Sequence, residues 1–270
     1  MRLLDIKEIQ SMQLILMKKL HAFLQDQKIS YYLIAGSALG AIRHGGFIPW
    51  DDDIDIGMFR ADYERFLSVC GSFDQEYDIV NFHNAKNCDF CLTRIYFPDT
   101  YIEDESVKGT KLDTRLYFDI FPLDNVPDDD AERAAYEKEI VQKKRLISRI
   151  DVRNYHNSAK ALLAKKAMSL CLRPFRSSVL KKTDALMKKY EACETQLVCS
   201  LSSQYSFAKQ VMPKAVYGTP TLHVFADAEF FVPEQLDAYL STLYGKDYMQ
   251  VPPESKRRKG HAIYSLKEKD

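Results

Sequence analysis

No apolar run in this 270-residue chain approaches the roughly 18 residues that a membrane-spanning helix needs, so no transmembrane segment is expected. Net charge is missing too: Lys plus Arg and Asp plus Glu number 38 each. Such a chain has no global field with which to gather nucleic acid or a membrane, and any anion site must be local. No secretory leader is visible, because Met1-Arg2-Leu3-Leu4 runs straight into Asp5-Ile6-Lys7-Glu8. The six cysteines, at 70, 88, 91, 171, 193 and 199, are therefore expected as thiols of a soluble, cytoplasmic protein. Cys88-x-x-Cys91 lacks a second pair to complete a zinc site, and on a strand its odd spacing sends the two side chains to opposite faces.

What the chain does have is one dense stretch, Gly36 to Asp55, reading Gly-Ser-Ala-Leu-Gly-Ala-Ile-Arg-His-Gly-Gly-Phe-Ile-Pro-Trp-Asp-Asp-Asp-Ile-Asp. On a strand, Asp53 and Asp55 point to one face while Ile54 and Ile56 point into the core. Two adjacent like charges repel, so the pair is expected to hold a cation, and hard oxygen ligands favour Mg²⁺ or Mn²⁺, which in turn carries nucleotide phosphates. Gly36-Ser37 ends one strand and opens a short helix, Ser37 to His44, whose first N–H groups suit a phosphate. Strand, Gly-Ser, helix and Asp-x-Asp on the next strand is a nucleotidyltransferase layout. Each part alone has a plainer reading, as a solvated turn or a helix cap; their order favours a site. Asp51 and Asp52 read as electrostatic support around the metal or as turn residues after Pro49.

Along the rest of the chain, Ile6, Ile9, Met12, Leu16, Leu20, Phe23 and Leu24 recur at helical spacing and predict a packing helix over the first 27 residues. Strands are expected at Tyr31–Ala35, Asp53–Met58, Tyr77–Phe82 and Phe90–Phe97, with a hairpin-like return into Tyr101–Glu105 and another strand at Leu116–Phe121. Ala61–Ser72 reads as a helix covering the sheet, and Asp129–Ile150, Ser158–Leu172 and Val179–Cys193 are helical; Pro233-Glu234 opens a short helix closed by Gly245. A mixed sheet with segregated helices makes the class α+β. One domain is expected, with a core over about residues 28–127, a helical region over about 128–200, and 201–270 completing the site.

Some charged positions carry two readings. Arg94, in mid-strand, either faces water or meets an anion, be it phosphate or the Asp cluster. Asp119, flanked by apolar residues on a central strand, wants a metal or a basic partner, whereas Asp124 suits a turn cap near Pro122. Lys165-Lys166, Arg173, Arg176, Lys181-Lys182 and Lys188-Lys189 form either a solvated helix face or a basic face toward an anionic, lipid-linked acceptor at the inner side of the membrane.

Leu39-Gly40-Ala41-Ile42-Arg43-His44-Gly45-Gly46-Phe47-Ile48-Pro49-Trp50-Asp51-Asp52-Asp53-Ile54-Asp55-Ile56 closely resembles the signature of the LicD family of phosphocholine transferases, distant relatives of the fukutin-type transferases. Phe118-Asp119-Ile120-Phe121-Pro122-Leu123-Asp124 and the run from Tyr244 through Pro252-Pro253, Lys256-Arg257 and His261 resemble later blocks of that family; Ala131 to Ser206 carries no matching motif. The resemblance implies a nucleotidyltransferase-like fold and transfer of phosphocholine from CDP-choline to a hydroxyl of a cell-surface glycan precursor, of teichoic acid or lipopolysaccharide type, releasing CMP. It implies Asp119 as a third carboxylate beside Asp53 and Asp55 on Mg²⁺ or Mn²⁺; the general base is one of these carboxylates or water, with Asp119 the first choice because it comes from a neighbouring strand. It also favours phosphate contacts for Lys256, Arg257 and His261, and brings Arg43 and His44 into the site beside Gly36 and Ser37. A choline head group needs an aromatic cage, for which Trp50 is a candidate, core packing being its alternative. The rivals are transfer of ribitol or glycerol phosphate from another CDP-alcohol, an Asp-x-Asp glycosyltransferase, and a non-enzymatic scaffold, which would require a lost carboxylate.

Overall fold

The computed structural model describes residues 2–85, 88–103, 112–150, 159–257 and 262–265. After a two-residue strand β1 (Arg2–Leu3), the chain enters α1 (Ile6–Asp26) through a capping box: Asp5 accepts from the Glu8 N–H at 2.8 Å, and the Glu8 carboxylate accepts from the Asp5 N–H at 2.9 Å. Its Ile9, Leu16, Met17, Leu20 and Leu24 are buried, as the spacing predicts.

Strand β2 is only Tyr32–Leu33, because Ala35, at φ +48°, already turns the chain into α2 (Ala35–His44). That helix starts two residues before the predicted Ser37 and ends at Gly45, whose φ of +66° is the left-handed cap that glycine adopts readily. There follow β3 (Asp55–Phe59), α3 (Arg60–Val69), β4 (Asp78–Val80), β5 (Thr93–Tyr96), β6 (Thr100–Glu103) and β7 (Tyr117–Val126). The second half holds α4 (Asp130–Ile150), α5 (Ala159–Leu172), α6 (Arg176–Met187), β8 (Leu197–Cys199), α7 (Phe207–Gln210), β9 (Met212–Pro213) and α8 (Lys214–Tyr217). A hairpin, β10 (Thr221–Phe225) and β11 (Ala228–Val232), then α9 (Leu236–Tyr244) and β12 (Ala262–Ser265) complete the order.

The main sheet runs β2-β3-β7-β5-β4, with β8 on the far end of β7 and β9 on β8. Only the β3–β7 pairing within it is parallel; the sheet is mixed and the class is α+β. Strand β6 is not the return of a β5 hairpin: it pairs with β12, which pairs with β1, in a separate three-stranded sheet that joins both ends of the described chain.

Two apolar clusters form the interior, one around the main sheet with α1, α2 and α9, the other where α4 and α6 pack on the far end of β7 and on β8. Cys88 and Cys91 are buried in the second, and burial pushes the Cys88 thiol up to about 12, so both behave as packing residues. The clusters are joined by a buried ion network. Arg60, at the start of α3, donates to Asp124 at 2.6 Å and to Asp184 of α6 at 3.1 Å, while Lys188 bridges Asp184 (2.9 Å) and Glu64 (2.7 Å). Asp124 is thus no turn cap but a fully buried residue inside a strand that continues past Pro122.

Removing one partner of such a network leaves uncompensated charge in the interior. Arg60→Met is expected to lower unfolding free energy by about 3–5 kcal/mol in a denaturant titration, and Arg60→Lys to recover only part of it, since one ammonium cannot reproduce the guanidinium fork.

Candidate functional site

The site begins with a register. Because β3 and β7 run parallel with Asp55 opposite Asp119, and β5 sets Arg94 opposite Asp119 from the other side, these three charged residues lie in one row across the sheet. Arg94 Nε donates to Asp119 Oδ1 at 2.8 Å, and the guanidinium lies over the rings of Tyr117 (3.9 Å) and Phe90 (4.3 Å). Of its two readings, Arg94 therefore meets the acidic cluster. Burial raises the Asp119 carboxyl above its ordinary value, with Arg94 pulling it back.

Asp53 precedes the strand rather than lying on it, in the irregular segment 51–54. In that segment the side chains of Asp51, Asp52 and Asp53 bring carboxylate oxygens within 4.8 Å of one another, with Asp52 buried and the other two half-buried. Asp55 completes the crowding: burial raises its carboxyl well above the ordinary range, and repulsion from Asp53, Asp119 and Asp51 pushes the same way. The expected trio of Asp53, Asp55 and Asp119 is therefore distributed. Asp53 gathers with Asp51 and Asp52, whereas Asp55 and Asp119 face each other across the ladder, Asp119 already engaged by Arg94. Asp51 and Asp52, taken from the sequence as support or turn residues, belong to the closest acidic group.

These donors fit a divalent cation: all are hard carboxylate oxygens, and their mutual repulsion is what a bound cation would relieve. The scaffold holds them there. Gln13 of α1, fully buried, donates to the carbonyls of Asp52 (3.3 Å) and Tyr117 (2.9 Å), and Gln10 to that of Asp51 (2.9 Å), so α1 clamps the acidic segment besides packing. Ser37 does not open its helix; its buried hydroxyl accepts the Asp55 N–H at 2.8 Å and fixes the start of β3. Gly36 is small for a reason: a Cβ there would lie 2.8 Å from Asp51 Oδ2.

The other expected site residues tie the C-terminal segment to this stretch. Arg43 donates to the Tyr248 carbonyl at 2.8 Å and from Nε to His44 Nε2 at 3.0 Å. Burial, then the Arg43 charge, lowers the His44 pKa, so His44 is a neutral acceptor near pH 7 and supplies no balancing charge. Trp50 has the Arg257 guanidinium over its ring at 4.3 Å and His44 at its edge, so its cation seat is filled from within the chain, which favours packing over a choline cage. Lys256 is exposed in the turn Glu254–Lys256, and His261 lies outside the described residues.

The aromatic groups that do feel the acids are ones the sequence reading passed over. Tyr205 and Tyr244 share a hydroxyl contact of 3.0 Å with rings edge to face, and after burial the charges of Asp55, Asp51 and Asp53 raise the Tyr205 phenol. Tyr239 anchors the helix entry, its hydroxyl accepting from the Ala35 N–H at 2.9 Å. Behind Tyr205 opens a cavity of about 410 Å³ between α4 and residues 199–207, lined by Lys144, Ser200 and Phe207 among others. Neither the tyrosines nor the cavity follows a spacing rule, since they come from the stretch without motif and from a late helix.

With this geometry in place, the chain can be set beside known proteins. A family described as LicD/FKTN/FKRP, nucleotidyltransferase domain, matches residues 28–145, which include α2, the acidic segment, β5 and β7. The lipopolysaccharide cholinephosphotransferase LicD of Haemophilus influenzae is 32% identical over 272 aligned residues, covering 97% of this chain and 97% of that protein. The ribitol 5-phosphate transferases FKRP of human and mouse are each 49% identical over 39 residues, 14% of this chain and 8% of theirs.

Gly36→Ala tests the acidic segment without touching a carboxylate. Mn²⁺ affinity, read by calorimetric titration, is expected to fall on the order of tenfold while stability changes by less than about 1 kcal/mol in a thermal melt. An unchanged Mn²⁺ isotherm would separate Asp51 from the metal.

Proposed function

The chain belongs to the LicD family, and from that membership we propose that it transfers an alcohol phosphate, phosphocholine first, from a CDP-alcohol to a hydroxyl of a cell-surface glycan precursor, with release of CMP. The observation that carries this reading is that the grouped Asp51, Asp52 and Asp53 lead directly into Asp55, which the β3–β7 register sets opposite Asp119, all inside the segment the family matches. An acceptor precursor of teichoic acid or lipopolysaccharide type, built on a lipid at the inner face of the membrane, fits a cytoplasmic enzyme; among the described residues no helix is long and apolar enough to cross a bilayer.

Mg²⁺ or Mn²⁺ would be held by Asp53 and Asp55, with Asp51, Asp52 and Asp119 as further donors. When bound it would neutralise the donor's pyrophosphate and the charge developing on the leaving CMP. The rest falls to the chain's own groups. Asp119, whose proton affinity burial raises, takes the proton of the acceptor hydroxyl, and Arg94 fixes its orientation through the paired hydrogen bonds. The hydroxyl oxygen then forms a bond to the phosphorus that carries the alcohol, the bond from that phosphorus to the CMP oxygen breaks, and CMP leaves with the electron pair. The exposed Lys256 and the start of α2 at Gly36 are proposed to meet the phosphates.

Ribitol or glycerol phosphate transfer is the second reading, favoured by the similarity to the ribitol 5-phosphate transferases and by a metal site that does not read the alcohol. A glycosyltransferase has no such support, and the scaffold reading fails its own condition, since every expected carboxylate is present.

The test presents the full chain with Mg²⁺, lipid-linked glycan fractions and a panel of CDP-choline, CDP-ribitol, CDP-glycerol and nucleotide sugars, and measures CMP. CDP-choline is expected to be consumed fastest, chelation to stop turnover, and Asp53→Ala to lower it by at least about a thousandfold. Robust turnover by Asp53→Ala would contradict the assignment.

A further inference from the structure

From Ala159 to Thr183 the sequence holds seven Lys and Arg and no Asp or Glu, in a chain whose total charge is zero. The structure shows what accompanies that charge. Leu163, Leu170 and Phe175 are 71%, 69% and 60% exposed, and Met168 is 40% exposed, on α5 and the turn that leads into α6. Leu163 and Leu170, seven residues apart, stand on the same helical face, while Ser169 turns inward and donates to the Ile150 carbonyl. Lys165, Lys166, Arg173, Lys181 and Lys182, on the same two helices and the turn between them, are exposed as well, and Lys166 is the cation nearest the Leu163–Leu170 face of α5. Large apolar groups left in water on a segment of one charge sign mark a surface that is covered in use.

We infer that α5 and the start of α6 lie on an anionic lipid bilayer, with Leu163, Leu170 and Phe175 set among the acyl chains and the five cations against the lipid phosphates. The charge selects this occupant. A second copy meeting the same face would oppose five cations to five cations, and a nucleic acid backbone would leave the leucines and the phenylalanine in water. An anionic bilayer satisfies both chemistries at once, and a 14-residue helix with this many cations rests at the interface without spanning it. The link to catalysis rests on the lipid-linked acceptor proposed above; the docking itself does not depend on the donor.

The experiment mixes the full chain with vesicles of phosphatidylcholine alone or with phosphatidylglycerol, followed by sedimentation. Binding is expected only to the anionic vesicles and to weaken as salt rises. Lys165→Gln with Lys166→Gln should reduce partitioning on the order of tenfold, and Leu163→Ser with Leu170→Ser and Phe175→Ser should abolish it, with circular dichroism melts and CMP release toward a soluble acceptor unchanged. Phe175→Trp should shift its fluorescence to the blue on anionic vesicles and be quenched by brominated lipid. Wild-type protein left in the supernatant, equal binding by the triple-serine variant, or a change of oligomeric state by that variant in analytical ultracentrifugation would each overturn the inference. If no CDP-alcohol were consumed yet the vesicle results held, the transferase reading would fail and the docking surface would stand.

Discussion

Backbone pairing forces like charges together in this protein, and the rest of the site answers to that fact. The parallel β3–β7 ladder sets Asp55 opposite Asp119, and neither can move away without breaking a register five residues long. Arg94, arriving antiparallel from the other side, engages Asp119 and offsets part of its charge. Asp55 is left half-buried beside Asp53 and Asp51, and desolvation together with their repulsion raises its carboxyl well above the ordinary range. A fold that keeps such repulsion in its interior also keeps a preorganised seat for positive charge, because the work of assembling the donors is done before any cation arrives.

The parts that keep the carboxylates there come from the whole length of the chain. Gln10 and Gln13 hold the acidic segment by its carbonyls from the first helix. Arg43 and Trp50 hold residues 248–257 by a hydrogen bond and a cation over a ring. Strand β12 then pairs between β1 and β6. Blocks of sequence that lie two hundred residues apart thus meet around α2, which explains in physical terms why a C-terminal basic block accompanies an N-proximal acidic one: Arg257 serves first as a clasp on Trp50.

Much of this was legible in the sequence because it rests on periodicity. The three- and four-residue spacing of α1 and the alternation of Ile54, Asp55 and Ile56 each have one geometric solution. The class followed from strands and helices that segregate. What could not be read depends on partners distant in sequence. Asp124 looked like a turn cap because Pro122 suggests a strand end, yet β7 continues and Arg60 waits for it. The β10–β11 hairpin turns through Ala226-Asp227, with Ala226 at φ +58° where glycine or asparagine would normally announce the turn. Strands of two or three residues such as β8 and β9 exist only because a neighbour completes them. At the site, Asp51, Asp52 and Asp53 precede β3, so the alternation of a strand does not set where their side chains meet.

The division of labour within the site bears on which alcohol is carried. In the proposed reaction the carboxylates, the cation they would hold and Arg94 would act on phosphate charge, and phosphate is common to every CDP-alcohol, so that row of residues would not tell choline from ribitol. The relatives fit this view: the similarity to the ribitol 5-phosphate transferases is confined to 39 residues, whereas that to the cholinephosphotransferase covers nearly the whole chain. Chemistry shared over a short segment and alcohol identity read outside it would produce such a pattern. Trp50 is poorly placed to read a quaternary ammonium, since Arg257 occupies its face. Tyr205, which feels Asp55, Asp51 and Asp53, and its neighbour Tyr244, which feels Asp55, would suit that task better, and Tyr205 stands on the motif-free segment, where a change would leave the ladder that sets the carboxylates in place.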